Sequence, residues 1–557
     1  MPVTPLTTPT AWPDISPLDD LWDDLAGHYL LPYANTCRWF AGKARPQQGL
    51  TIAHKHLITE TTYLLTLLID YADGPQETYL LPLAFATDAE ADEVPEKGRI
   101  AGATLGGRAG WLVDGIYLDR FRRALFESMA QNNQLTQAVG QIDFNRGKGL
   151  DASDVSLPSR VLPVDSSNSA LVFGDKYFLK LYRKLFPEMN PEVEMVAFIS
   201  ENSDFAHIPA YAGSIVWQVP GHARQRGRSA APSAMVTLGM MQRMVANDKD
   251  SWAQTGDYLN DFLYAVPNRL FTIREDVFDK VELLGRRTAE MHCALYQPTT
   301  TDPAFAPEPF TDEYRDFLTR RFEDLLERRY NLLIDNYTKL DPLAQRLAWV
   351  FMEAKEMIDE FVADFRTRPL ESLRIRIHGD YHLGQVLAVT TDRNNTDFVI
   401  IDFEGEPEST IAERKIKHSP LKDVAGMIRS YHYAVSAKLF TADETAGIEP
   451  DHLQRVSERW FKLIRDTYLD AYLAEFGTPH ALFKNNAEVN FLLLIYLLEK
   501  AVYELGYEIS YRPAWVKIPL KGILDVVSEI EKIQLADPER SERIPRLQSG
   551  LLKNQSA

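Results

Sequence analysis

Cysteine is almost missing from this chain: its 557 residues hold two, Cys37 and Cys293. They lie far apart and form no CxxC pair, which disfavours a disulfide framework or a cysteine-bound zinc and points to a reducing compartment. An excess of positive charge is missing too. Sixty basic residues face 79 acidic ones, a net charge of -19, which argues against general affinity for nucleic acid or an anionic membrane. Any anionic ligand must then be held by a local basic pocket. Long apolar runs are also lacking. The longest, Phe491–Leu498, has 8 residues, whereas a spanning helix needs about 20. The first ten residues, MPVTPLTTPT, have neither the basic start nor the apolar stretch of a signal peptide. A soluble cytoplasmic protein is expected. There is no internal repeat and no long low-complexity tract.

What is present is enough apolar material, 45% of residues, to bury sizeable cores. Pattern divides the chain into three regions: 1–115, 116–246 and 247–557. In the first, a short helix near Leu18–Leu31 precedes β-rich runs at Thr62–Leu68 and Thr78–Leu81, and the stretch Asp88–Gly107, rich in Asp, Glu and Gly, reads as loops. The second opens with a helical segment near Tyr117–Asn132. Strand signals follow at Ser159–Leu162, Ala170–Phe173 and Tyr177–Tyr182, the last two joined by a tight turn at Gly174-Asp175. Asn190 as N-cap and Pro191 at the first helical position start a helix, and Ala212–Gln218 and Ala234–Val245 form a further strand pair. The third region has helical periodicity over Val277–Leu295, Pro309–Tyr330, Leu343–Arg366, Leu453–Phe476 and Asn486–Tyr507. One strand pair, Ser372–Ile377 with Phe398–Ile401, interrupts it.

That strand pair carries the chemistry. His378-Gly379-Asp380 follows one strand, and Asp402 follows the other, 22 residues after Asp380. A carboxylate such as Asp380 can orient an attacking hydroxyl and take its proton. A carboxylate at Asp402 can bind a metal ion that bridges phosphates, with the Gln385 amide oxygen and Glu404 as further ligands. Either motif alone is weak; together they describe a phosphoryl-transfer site. Upstream, Lys180 on an alternating strand suits nucleotide phosphates. Its acidic partner is expected on the next helix, which holds Glu192 and Glu194. Glu192 is sufficiently explained by the helix dipole, so Glu194 is taken as the partner. Ser166, Ser167, Asn168 and Ser169, before the hairpin, offer small donors to phosphates in place of a glycine-rich loop.

With these segments assembled, the chain resembles the bacterial maltokinases, including those fused to trehalose synthase. The resemblance rests on Arg38-Trp39-Phe40-Ala41-Gly42-Lys43, on Ser166–Ser169 with Phe178-Leu179-Lys180, on Asn190–Glu194, and on His378–Gln385, Ile401–Pro407 and Lys417–Met427. It implies an α+β fold: an aminoglycoside phosphotransferase-like bilobal kinase with an N-terminal cap subdomain. It also implies transfer of the ATP γ-phosphoryl group, with Mg²⁺, to the anomeric hydroxyl of maltose, feeding α-glucan and trehalose metabolism, and association or fusion with a trehalose synthase. ATP phosphates would then meet Lys180, with adenine against Met240–Val245. The sugar would lie against Lys500, Tyr503, Glu504 and Tyr507, which share one helix face, with Trp515 a weaker candidate and His378 helping to place it. Gln385 and Glu404-Gly405-Glu406 favour this family over choline or aminoglycoside kinases, which stay as alternatives together with a non-catalytic kinase-like module. Arg38-Trp39-Phe40 reads as a structural anchor of the cap. Departures are Ala41, where many relatives have Gly, and extra length at Asn132–Ser156 and Tyr296–Tyr330 without readable chemistry.

Overall fold

The computed structural model describes residues 5–16, 18–137, 140–163, 167–219, 234–266, 273–391, 395–441, 449–477 and 480–536. The chain forms two compact units, Met1–Val245 and Ala246–Ala557.

The first unit contains two sheets. One runs Leu6–Thr8, Arg99–Leu105, Arg108–Asp114, Glu77–Ala86, Thr62–Tyr71, Gln47–Thr59, with Lys184–Leu185 added against Glu77–Ala86. Helical turns from Leu21 to Thr36 cover it, and Trp12, Trp22 and Tyr63 meet beneath them with ring centroids 5.3–5.7 Å apart. The stretch expected to be loops, Asp88–Gly107, is instead a helix, Asp88–Glu93, and the strand Arg99–Leu105. A reciprocal capping box between Thr87 and Glu90 starts the helix. Ala101, Ala103 and Leu105 alternate into the core. Alanine is a weak strand signal, so composition hid the period of two. Trp39 and Phe40 are buried, with Phe40 edge-on to Tyr79 at 5.1 Å, the anchoring role expected of them.

The other sheet is antiparallel: Gln134–Gln137, Gly140–Arg146, Tyr211–Val219, Ala234–Arg243, Tyr177–Leu181, Ser169–Phe173, Ser159–Val161. Extra length at Asn132–Ser156 thus supplies its first two strands. Gly174 and Asp175, at φ 53 and 49°, make the left-handed turn of the expected hairpin. Arg183 ties the two sheets together. It is fully buried, donates to Asp114 Oδ2 at 2.5 Å, to the Leu80 carbonyl at 3.3 Å and to Ser169 Oγ at 2.8 Å, and stacks on Trp39.

The second unit is mostly helical. Its helices include Glu275–Leu295, Asp312–Asn336, Leu421–Thr441, Pro450–Ala474, Asn486–Tyr511 and Lys517–Ala536. The single helix expected over Leu343–Arg366 is two, Pro342–Glu353 and Lys355–Thr367, meeting at Ala354. A small sheet orders Lys249–Asp250, Val386–Thr390 and Thr396–Ile400. The expected pairing of Ser372–Ile377 with Phe398–Ile401 is not what forms. Only Leu373–Arg374 is strand, paired with Glu308–Pro309, and Thr396–Ile400 pairs with Val386–Thr390. The two motifs meet because this hairpin folds back, Ile401 N–H donating to the Gln385 carbonyl at 3.0 Å. No helix among the described residues is long and apolar enough to cross a membrane.

Candidate active site

Gly379 takes a left-handed φ of 87°, and a Cβ there would lie 3.2 Å from Gly405 Cα; the turn needs glycine for conformation and for close approach. Asp423 pins it. This buried carboxylate accepts the backbone N–H of His378 at 2.8 Å and of Gly379 at 2.9 Å, and the His292 Nε2–H at 3.1 Å. Burial pushes its pKa up, but the bond from His292 and the other hydrogen bonds outweigh it and hold it below the usual range. Asp380, next along, is thereby set at the surface of the unit, and Lys500 Nζ donates to its Oδ1 at 3.1 Å.

His378 does not reach out to a substrate as expected. It is buried, its Nε2–H donates to the Ile401 carbonyl at 2.9 Å, and its ring packs on Phe403 with centroids 4.7 Å apart. The apolar flanks Ile377 and Phe403 draw the imidazole inward, where it clamps one motif to the other.

Asp402 holds a φ of 67°, a conformation that non-glycine residues seldom take and that functional sites retain. Gln385 donates its amide N–H to Asp402 Oδ2 at 3.1 Å, which leaves the amide oxygen for another partner. One oxygen of Asp402 and one of Glu404 lie within 4.8 Å of each other. Two carboxylates and an amide oxygen are a hard donor set, and this set fits Mg²⁺.

In the first unit, Lys180 stands opposite Met240 in the sheet, on the strand expected to meet adenine. Its Nζ donates to Glu192 Oε2 at 2.9 Å, so the pairing expected with Glu194 is corrected to Glu192. Glu192 is buried, its carboxylate also takes the Tyr182 hydroxyl at 2.9 Å, and Glu194, two residues on, is turned round the helix. Ser169 is likewise occupied: its buried Oγ accepts from Arg183. Asn168 Oδ1 accepts the Arg183 backbone N–H at 3.4 Å, Ser167 is exposed, and Ser166 lies outside the described residues.

A cavity of ≈ 430 Å³ adjoins Asp380 in the second unit. Gly379 and Tyr381, its chain neighbours, line the cavity with Glu406 and Glu408 from the segment after Asp402. The late helix contributes Tyr496, Glu499, Lys500 and Tyr503, spaced i, i+3, i+4, i+7. The expected stripe began one turn too late. Lys500 and Tyr503 belong to the cavity, whereas Glu504 is held by Arg429 at 2.6 and 3.1 Å, and Tyr507, half exposed, packs tilted against Tyr511 at 4.9 Å. Trp515 packs on Tyr433. The opposite wall is the helix Asp312–Asn336, which presents Phe317, Arg320, Arg321, Asp324, Arg328 and Arg329. Sequence reasoning found no chemistry there, because alternating charges on a long helix look like a solvated face; spacing by three and four was the available signal.

Charges at the Lys500 end of the cavity are matched. Lys500 also lies 3.8 Å from Glu406, Arg321 reaches Glu406 at 3.8 Å, and Lys422 meets Glu499 at 3.3 Å. Burial would lower the Lys500 pKa, but Asp380, Glu406 and Glu504 outweigh it and raise it above the ordinary value, so the ammonium stays charged.

Residues 33–117 match the maltokinase N-terminal cap domain. A glucosamine kinase from Streptacidiphilus jiangxiensis is 25% identical over 248 residues, 44% of this chain and 49% of that protein; the match thus spans about half the length of this curated relative. Among solved structures, a glucosamine kinase in complex with glucosamine, ADP and inorganic phosphate matches with a TM-score of 0.61 at 17% identity, over 89% of this chain and 98% of that one. Crystal form A of a glucosamine kinase gives 0.59 at 18% identity, over 86% and 91%. At such identities the likeness establishes the fold alone, an α+β fold shared with these glucosamine kinases. The chain thus combines a match to the maltokinase N-terminal cap over residues 33–117 with a fold similar to that of these glucosamine kinases.

Proposed function

We propose that this protein is an ATP-dependent sugar kinase whose acceptor is maltose, phosphorylated at the anomeric hydroxyl. The observation that carries the reading is the cavity beside Asp380, which has a carboxylate, a charged lysine and tyrosine rings at one end. Aromatic faces suit the apolar faces of a sugar, and matched charges supply donors and acceptors to hydroxyls. Asp380 orients the acceptor hydroxyl and takes its proton, and Lys500 keeps that carboxylate aimed. Lys180, fixed by Glu192, takes ATP phosphates. Gln385, Asp402 and Glu404 would hold Mg²⁺, which supplies charge neutralisation to the phosphates when bound. Positioning and electrostatics then provide most of the acceleration.

A second acceptor, glucosamine, is favoured by the names of the similar proteins. Its ammonium group calls for a spare carboxylate. Here Glu406 is shared by Lys500 and Arg321, Glu499 is paired with Lys422, and Glu413 closes a capping box on Thr410. These contacts leave Asp324 and Glu408 as the cavity carboxylates without an ion pair or cap among the described residues, and maltose, which has no ammonium group, needs neither. ADP release from ATP and Mg²⁺ is the test, with maltose, glucosamine and choline as acceptors. Turnover with maltose exceeding the other two is expected; turnover confined to glucosamine or choline refutes the acceptor, and none with any sugar refutes the kinase reading.

A further inference from the structure

The arginines of the helix Asp312–Asn336 are not equivalent. Arg321 meets Glu406 at the end of the cavity near Lys500. Arg328 and Arg329 lie seven and eight residues further, about 10 Å along the helix, and among the described residues neither has an ion-pair partner. Arg329 is half-buried, and its Nε is enclosed without a hydrogen-bond acceptor. Its guanidinium occupies the place where a side chain at 506 would stand: a Cβ on Gly506 would lie 2.1 Å from Arg329 Cζ and Nε. Gly506 sits inside the helix Asn486–Tyr511. A glycine in a helix interior and an enclosed N–H without an acceptor each destabilise a fold, and both are kept here around one side chain. Burial and the neighbouring Arg328 push the Arg329 pKa down, and Glu408 and Tyr503 oppose them only in part. The carboxylates on this side are Asp324, which is exposed as Arg328 is, and Glu408, whose charge acts on both Arg329 and Tyr503.

We propose that Arg328 and Arg329 form an oxyanion subsite at the far end of the cavity, taking a carboxylate or phosphate borne by the acceptor sugar on the ring remote from the phosphorylated hydroxyl. Guanidinium forks match such planar or tetrahedral oxyanions in shape and charge. The subsite rests on the reading that this cavity holds the acceptor, and it extends that reading from neutral disaccharides to acidic ones.

Calorimetric binding to the full chain tests it. The probes are maltose, the same disaccharide with a 6-carboxylate on the remote ring, its 6-phosphate counterpart, and inorganic phosphate alone. Charge-assisted bonds of this kind predict about tenfold tighter binding of an acidic disaccharide than of maltose. The ratio is expected to fall toward one in Arg329→Gln and in Arg328→Gln, with folding checked by near-ultraviolet circular dichroism. The carboxylate and phosphate arms distinguish the two oxyanions. Equal or weaker binding of both acidic sugars by the natural chain overturns the proposal, as does a preference unchanged in well-folded variants, or binding of inorganic phosphate without any preference among sugars. Phosphoryl transfer is scored separately. Tight binding of an acidic sugar without transfer keeps the subsite and rejects the kinase reading; transfer to maltose with no acidic preference does the reverse.

Discussion

Lys500 Nζ stands 3.1 Å from Asp380 Oδ1, a bond between a late helix and a turn 120 residues earlier in the chain. Burial lowers the pKa of this ammonium, but Asp380, Glu406 and Glu504 outweigh it, and the charged lysine fixes the direction of the carboxylate. Lys500→Met is expected to lower kcat by about 10²-fold, the scale of a misplaced reacting group, while the Kd for ATP changes little. Steady-state kinetics with an independent nucleotide titration checks this. Unchanged kcat would remove Lys500 from the machinery.

Asp423 acts through the backbone. Asp423→Asn replaces one of two accepting oxygens by an N–H donor, opposite either the Gly379 amide at Oδ1 or the His378 amide and the His292 Nε2–H at Oδ2. A loss of about 1–3 kcal/mol in stability is expected from the unmet donor, with a fall in kcat that exceeds any change in KM. Denaturant melts and kinetics on one preparation measure both. Full stability with full kcat contradicts the pinning role.

The Lys180 partner is decided by comparing two variants. Glu192 receives both Lys180 and the Tyr182 hydroxyl, so Glu192→Gln should weaken ATP binding by about tenfold, the value of a charge-assisted bond. Glu194→Gln should weaken it less. Fluorescent-nucleotide titration ranks them, and the reverse order restores the pairing that strand and helix pattern alone favoured.

His56 makes the first unit sensitive to acid. It is buried on the strand Gln47–Thr59, with Nδ1 3.1 Å from Gln137 Oε1, its ring edge on Trp217 and no partner for Nε2. Burial pushes its pKa from 6.5 to about 4, only partly opposed by the Gln137 bond. Between those values the unfolded chain binds the proton and the folded chain does not, so stability falls as pH drops from 6.5 toward 4. The slope contributed is up to about 1.4 kcal/mol per pH unit. Melts of the natural chain and of His56→Gln from pH 7 to 4 should converge as pH falls; parallel curves would show that His56 titrates normally.

Much of this was legible in sequence because it is local. Gly174-Asp175 made the hairpin, Asn190-Pro191 started the helix, and His378-Gly379-Asp380 and Asp402 announced themselves by residue type. What was missed depends on packing. Nothing local tells that Glu192 turns inward to Lys180, that His378 is drawn under Phe403, or that Arg429 takes the Glu504 carboxylate. The cavity-facing stripe lies one turn earlier than Lys500–Tyr507, since Tyr496–Tyr503 and Lys500–Tyr507 have equal periodicity and only the opposite helix decides between them. That helix, Asp312–Asn336, carried no readable chemistry in sequence and forms a cavity wall.

Mass spectrometry of the product from ATP, Mg²⁺ and maltose, run in parallel on the natural chain and on Asp380→Asn, tests the central claim. The account predicts maltose carrying one phosphoryl group at its anomeric position from the natural chain, and a yield lower by about 10²–10⁴-fold from the variant. Maltose left unmodified by the natural chain, or phosphorylated equally well by Asp380→Asn, would contradict it.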